Sequence, residues 1–311
     1  MRRLSVAFFG TPDFSVPSLD MLNNIESIDL KYVISMPDRK AGRGHQLKSP
    51  EVIQYAKNNN ISYFQTENIN KENEFLEVLN NENIDVFIVL AFAQFLSEPL
   101  LKMPNIGCFN IHTSLLPKYR GAAPIQYAIL NGDKSTGVSI QKMVKKMDAG
   151  DIALSKSVTI SENETGGELY TKLKFQAALS LNQFISILQT DSLSFEKQDE
   201  TAISFAPTLK REDGYLDFSK ESSIKIFNKV RALYPWPGTF CMLNNKRLKV
   251  ISVSYSKESL QPGEVSTSLG EIHIGCTEGS LRLEQIQLEG KKMCTDRELL
   301  NGIKSEININ N

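Results

Sequence analysis

The sequence predicts an α/β domain, with a mostly parallel sheet covered by helices on both faces, followed by a small β-barrel. Two patterns carry this. From Leu4 to Phe92, short apolar runs alternate with amphipathic stretches at helical spacing, the rhythm of strand–helix–strand units. From Thr239 to Leu288, five short β-like runs are separated by Asn-Asn, Pro-Gly and Glu-Gly turns, which suits a small barrel of the kind that often binds oligonucleotides. A chain of 311 residues is long enough for two such domains. Their expected bounds are 1–189 for the first, 190–206 for a connector without periodicity, and 207–311 for the second.

Taken in order, Leu4–Phe9 reads as a buried first strand closed by Gly10-Thr11-Pro12, and Val16–Leu22 as a helix. Leu30–Ser35 is a second strand. Ser49-Pro50-Glu51 opens a helix through Tyr55 and Ala56, with Ser49 as its cap and Pro50 at its first position. Between them, Pro37–Lys48 is longer than the usual connection and carries Arg39, Lys40, Arg43 and Lys48 beside two glycines. Charge alone describes a solvated loop. Leaving the C-terminal end of a parallel strand, however, the same charges are placed to meet an anionic substrate. Gly42-Arg43-Gly44 lacks the third glycine of a dinucleotide fingerprint. Ile61–Phe64, Glu72–Leu79 and Asp85–Phe92 continue the alternation.

The chain then changes character at Cys108-Phe-Asn-Ile-His112. On a strand, Asn110 and His112 project from the same face, an odd choice for an otherwise apolar run. The run opens into a loop with Pro117 and Gly121 and restarts as a helix at Ala123-Pro124. Thr136–Met143 and Asp151–Ile160 are two further strands flanking the turn Met147-Asp-Ala-Gly-Asp151. Gly166–Leu188 is one long helix with Leu169, Leu173, Ala177 and Leu181 on a stripe. In the second domain, Ser222–Leu233 is helical and Thr295-x-x-Glu298 is a capping box. Trp236 between two prolines reads as a packing anchor, His273 as a strand residue without chemistry, and the tail Ile307–Asn311 as frayed.

Composition narrows the chemistry. The net charge is −1, and residues 207–311 hold 15 Lys and Arg against 13 Asp and Glu, so charge permits RNA contact without arguing for it. Cys108, Cys241, Cys276 and Cys294 form no Cys-x-x-Cys pair, which indicates neither a zinc site nor a disulfide framework. A reduced cytoplasm is the expected setting, no segment approaches a membrane span, and a monomer is the expected state. With only His45, His112 and His273, a histidine metal site is not expected. No P-loop and no Gly-x-Ser-x-Gly elbow is present. What remains is an amide, an imidazole and a carboxylate. Asn110 can donate to a developing oxyanion, His112 can polarise the same oxygen or shuttle a proton, and Asp148 can orient His112. Taken singly, a core histidine and a turn-capping acid are commoner fates. Together, beside a Gly/Pro-rich loop, they suit attack by an amine on an activated acyl group.

The run Asn110-Ile-His112-x-Ser114-Leu-Leu-Pro117, with Tyr119-Arg-Gly-Ala-Ala-Pro124 and Met147-Asp-Ala-Gly-Asp151, resembles the signature of the folate-dependent formyltransferases. Phe9–Phe14, Pro37–Gly44, Ala206-Pro207…Lys210 and Pro235-Trp-Pro237 extend the resemblance along nearly the whole chain. It implies a Rossmann-like catalytic domain and an oligonucleotide-binding-type barrel. It implies transfer of the formyl group of 10-formyltetrahydrofolate to the α-amine of methionyl initiator tRNA. By the same resemblance, Asn110, His112 and Asp148 are catalytic, and Ala91, Phe92, Ala93, Gln94, Ser114, Leu115, Leu116 and Pro117 form the folate side. Arg39, Lys40, Arg43, Lys48 and Lys210 would meet the tRNA. Lys40, His45 and Gln46 depart from the family's usual loop, which bears on how firmly that loop grips RNA. A small amine such as an aminosugar nucleotide is the alternative acceptor, and non-catalytic RNA binding the alternative class.

Overall fold

In the computed structural model, which describes residues 3–41, 46–190, 192–303 and 307–309, the alternating apolar runs form one seven-stranded sheet. Its spatial order is Ile152–Thr159, Ser135–Lys142, Gly107–His112, Val86–Leu90, Leu4–Gly10, Ile28–Ser35 and Tyr63–Gln65. The last five are parallel, and Ser135–Lys142 pairs antiparallel with Gly107–His112. All of Val86–Leu90 is buried, and so is Leu4–Gly10 beyond its first residue. Burial on both faces is why these strands read as unbroken apolar runs rather than alternating ones.

From Leu4–Gly10 the chain builds outward through Ile28–Ser35 and Tyr63–Gln65, then crosses back to Val86–Leu90 on the other side. Strand order therefore reverses between Gly10 and Leu90, and sheets of this type open their ligand crevice at the carboxyl ends beside such a point. Ser15 Oγ ties the reversal together by donating to the Leu90 carbonyl at 2.7 Å. Two local expectations change. Arg39–Ala41 and Gln46–Lys48 form an antiparallel hairpin, not a bare loop, which pairs backbone groups that a loop would leave to water. Ser49 does not cap the helix Glu51–Asn58, which starts directly after Pro50. Its hydroxyl donates to the Asp38 carboxylate at 2.8 Å, a charged and therefore stronger acceptor.

The chain groups into two compact units, one of residues 1–124, 135–158 and 170–206, the other of 125–134, 159–169 and 207–311. In the second, Thr239–Leu243, Lys246–Ser256, Ser280–Leu288, His273–Gly275 and Val265–Ser266 hydrogen-bond in that order, and Cys294–Thr295 joins Ser280–Leu288. All of these pairings are antiparallel. Irregular register between Val250 and Val253 bends the long strand, and the sheet curls over a core that includes Leu216, Phe218, Ile226, Leu248 and Leu283. The capping box forms as expected, with Thr295 and Glu298 exchanging side-chain to backbone bonds.

Two expectations for this unit fail. The tail is docked over its described residues 307–309, Asn310 and Asn311 lying outside them: Ile309 is buried in the core and bridges Leu243, while Asn308 and Asn244 exchange bonds at 2.9 Å. An isoleucine that can enter an apolar core outweighs its asparagine neighbours. Trp236 is 55% exposed rather than a packing anchor, because its proline-flanked turn stays at the surface.

Asp296, fully buried, secures this unit by accepting from Arg282 Nε at 2.9 Å and Nη2 at 3.0 Å. It also accepts from the Ile272 and Arg297 backbone N–H groups. Burial opposes its charge, but Arg282 and the two N–H groups outweigh burial and hold the carboxyl below the ordinary range. Such a depressed carboxyl stabilises the fold above its unfolded value of about 3.9, and the contribution is lost as pH falls through the folded value. Asp296→Asn should therefore cost roughly 1.5–3 kcal/mol at neutral pH. Urea unfolding at pH 7 and near pH 3 should show that deficit shrinking in acid, whereas an equal deficit at both would contradict the assignment.

Candidate active site

The site begins with strand register. In the antiparallel pairing, Asn110 stands opposite Gln141 and His112 opposite Ser139. Because side chains alternate along a strand, these four share one face at the carboxyl end of Gly107–His112. Gln141 and Ser139 are absent from the sequence expectations, although two buried polar residues spaced two apart in a predicted strand are the same signal that marks Asn110 and His112.

Asp148 reaches this face from the turn joining Ser135–Lys142 to Ile152–Thr159. Its Oδ1 accepts from Gln141 Nε2 at 2.9 Å and from Asn110 Nδ2 at 3.3 Å, and its Oδ2 accepts from the Gly121 N–H at 2.9 Å. His112 Nδ1 lies 3.7 Å from Oδ2, longer than a hydrogen bond and close enough for an ion pair once the ring is protonated. The other ring nitrogen, Nε2, sits 2.9 Å from the Tyr119 carbonyl. A carbonyl only accepts, so Nε2 carries a proton and Nδ1 is the basic nitrogen of the neutral ring. The three residues singled out in the sequence are thus brought together around the Asp148 carboxylate.

Two glycines permit this approach. A side chain at Gly150 would run into the Lys142 carbonyl, and Gly150 N–H instead donates to Gln141 Oε1 at 3.1 Å. Gly121 has φ +124°, and a Cβ there would lie 2.7 Å from the Ala206 carbonyl.

Both loops expected on the folate side border the same edge. Val89 pairs with Asn110, so Ala91–Gln94 leaves the sheet from the neighbouring strand. Ala91 and Ala93 are exposed and left-handed, at φ +52° and +63°. Phe92 is buried against Phe9, and Gln94 is spent inside the protein, donating to the Thr66 carbonyl at 2.7 Å and accepting from Ile69 N–H at 2.8 Å. This loop therefore presents backbone and alanine methyls. In the other, Ser139 Oγ donates to the Ser114 carbonyl at 2.8 Å and accepts from Leu116 N–H at 3.1 Å, while Ser114 Oγ bonds the Lys118 carbonyl. Leu116 is buried, and Leu115 and Pro117 are half-buried. Left-handed Tyr119 (+61°) and Asp148 (+49°) join the two alanines. Each such non-glycine residue costs on the order of 1–3 kcal/mol, and this kind of strain gathers at functional sites.

The basic residues are distributed more widely. Arg39, Lys40 and Lys48 are exposed on the hairpin, and Arg43 and His45 lie outside the described residues. Arg39 stands directly opposite Lys48, a like-charge pairing that disfavours the hairpin on its own. Lys48 is bonded to Glu51 at 2.6 Å, which raises its ammonium above the ordinary value. Lys210 is exposed in the second unit. His273 lies on its strand with Ser256 at 2.8 Å and Glu271 at 3.3 Å. Burial pushes the Cys108 thiol well up, in keeping with a small buried hydrophobe. Among the described residues, no group of three or more His, Cys, Asp or Glu could hold a metal, and no helix is long and apolar enough to cross a membrane.

Known proteins resemble the chain in family, in sequence and in fold. The family described as Formyl transferase matches residues 2–185, and Formyl transferase, C-terminal domain, matches residues 208–304. The chain is 38% identical over 310 residues to a methionyl-tRNA formyltransferase of Geobacter metallireducens, covering 99% of each chain. It is 39% identical to that of Natranaerobius thermophilus, covering 97% of this chain and 98% of that one. In fold it is similar to the sugar 3N-formyl transferase WlaRD, solved in the presence of dTDP and 5-N-formyl-THF. There the TM-score is 0.68 at 21% identity, covering 94% of this chain and 100% of that chain. It is also similar to HypX from Aquifex aeolicus in complex with tetrahydrofolic acid, with a TM-score of 0.61 at 13% identity, covering 96% of this chain and 47% of that one. The chain belongs to the formyl transferase family.

Proposed function

We propose that this protein transfers the formyl group of 10-formyltetrahydrofolate to the α-amine of methionine esterified to initiator tRNA, for translation initiation. The observation that carries the chemistry is the gathering of Asn110 and His112 around Asp148 at the carboxyl edge of the sheet. The acceptor follows from relatives named methionyl-tRNA formyltransferase that align over almost the full length of the chain.

The aminoacyl α-amine has a pKa of about 7–8, so much of it is neutral at cellular pH. Its lone pair attacks the formyl carbon, forming the new C–N bond and moving charge onto the formyl oxygen. Asn110 carries two amide hydrogens, and the bond to Asp148 uses one; the other is available to that oxyanion. With Nε2–H already given to the Tyr119 carbonyl, His112 acts through Nδ1 and takes the proton that the amine loses. Asp148 stabilises the resulting imidazolium. Collapse then breaks the bond to folate N10, which takes the proton from His112, releasing tetrahydrofolate and the formylated amine. No protein nucleophile enters.

The folate is read as lying along Ala91–Gln94 and Ser114–Pro117, where exposed backbone and half-buried leucine and proline suit a flat ring with an amide-like edge. The hairpin is read as the tRNA contact: phosphates between Arg39 and Lys48 would relieve their mutual repulsion.

Asn110→Ala should lower single-turnover formyl transfer roughly 10²–10³-fold; a rate near wild type would remove Asn110 as the oxyanion donor. Arg39→Ala should raise KM for charged initiator tRNA while leaving kcat intact. It should also flatten the plot of log KM against log salt by about 0.7–0.9 for each phosphate no longer neutralised. An unchanged slope would take the hairpin off the RNA.

A further inference from the structure

The stretch 190–206 has no periodicity, yet one of its side chains is woven into the site. Gln198 donates through Nε2 to the backbone carbonyls of Asp148 at 2.9 Å and Gly150 at 2.7 Å. Its Oε1 accepts from Arg120 Nε at 3.0 Å and Nη2 at 2.8 Å. Arg120 is only 1% exposed, and the Glu200 carboxylate lies 3.3 Å from its Nη2. The backbone around Gln198 is pinned on both sides. Glu196 and Ile152 exchange two bonds at 2.8 Å, and Phe205–Ala206 pairs in parallel with Arg120–Gly121.

We propose that Gln198 is a positioning residue for catalysis, clamping the turn so that Asp148 keeps its left-handed backbone and its carboxylate stays against His112 and Asn110. The proposal rests on the catalytic reading of Asp148 given above. A non-glycine residue at φ +49° persists only where its surroundings over-determine it. Gln198 supplies that determination on the turn's own carbonyls. The other end of its amide holds Arg120, whose chain neighbours both serve the site: the Tyr119 carbonyl fixes His112, and the Gly121 N–H binds Asp148. The backbone segment that holds the base and the turn that carries its carboxylate therefore meet at one side chain. Only a carboxamide fits this point, since it must donate to carbonyls at one end and accept from a guanidinium at the other.

The test uses Gln198→Glu, which keeps an acceptor for Arg120 but loses the donor to the turn, alongside Gln198→Ala. In folded protein both should lower kcat roughly 10–100-fold, with KM for folate and charged tRNA held within about threefold. A role exerted through Asp148 also makes the effects non-additive: in an Asp148→Ala background, Gln198→Glu should lower kcat by no more than about twofold further. Turnover near wild type in Gln198→Glu, a loss that multiplies fully with Asp148→Ala, or melting of both single variants below the assay temperature would each overturn the proposal. If Asp148→Ala alone keeps wild-type turnover, the catalytic reading itself fails, which separates the two outcomes.

Discussion

A carboxylate largely withdrawn from water must be met by donors, and the arrangement of donors around Asp148 is the constraint on which the rest of the site depends. Gln141, Asn110 and the Gly121 N–H bind its two oxygens, and His112 Nδ1 stands 3.7 Å away. Each donor comes from a different piece of chain: a parallel strand, its antiparallel neighbour, and the loop between them. None of the three pieces could supply the charge environment alone. A charge that assembles them also fixes their mutual geometry, and in the proposed reaction that geometry is the one in which an amine and an acyl carbon would meet.

The sheet explains why these pieces coincide. Strand order reverses beside Gly10 and Leu90, the position where sheets of this type place a ligand crevice, and the next strand outward carries Asn110 and His112 to that edge. Antiparallel pairing makes Ser135–Lys142 run from that edge back toward Phe109, and the turn that follows folds Asp148 over the face where Asn110 and Gln141 stand. Left-handed backbone at Ala91, Ala93, Tyr119 and Asp148 lies in the loops around these strands, the first three being residue types that tolerate it less readily than the asparagines that adopt it elsewhere. The framework elsewhere, with its buried parallel strands, is regular enough to hold that strain.

Much of this is legible in the primary structure, for identifiable reasons. Asn110 and His112 stand out because a two-residue period puts polar groups on one face of an apolar strand, and both fold classes follow from the spacing of apolar runs and turns. Gln141 and Ser139 carry the same period but look like ordinary strand residues until register sets them opposite the pair. Gln198 leaves no pattern at all, since it acts on backbone carbonyls and any polar residue in an aperiodic stretch looks alike. Ser49, Trp236 and Ile309 depart from expectation where local preference meets tertiary context: a nearby carboxylate draws the serine away, a surface turn keeps the tryptophan out, and an open place in the core draws the isoleucine in.

The most direct measurement is single-turnover formyl transfer from 10-formyltetrahydrofolate to charged initiator tRNA by Asp148→Asn. That substitution keeps the shape of the side chain while removing the charge and placing an amide where donors converge. Asp148→Asn should fold and transfer formyl on the order of 10²–10⁴-fold more slowly. Transfer at the wild-type rate would contradict a catalytic role for Asp148, because the carboxylate would then be a structural anchor and the chemistry would have to lie elsewhere.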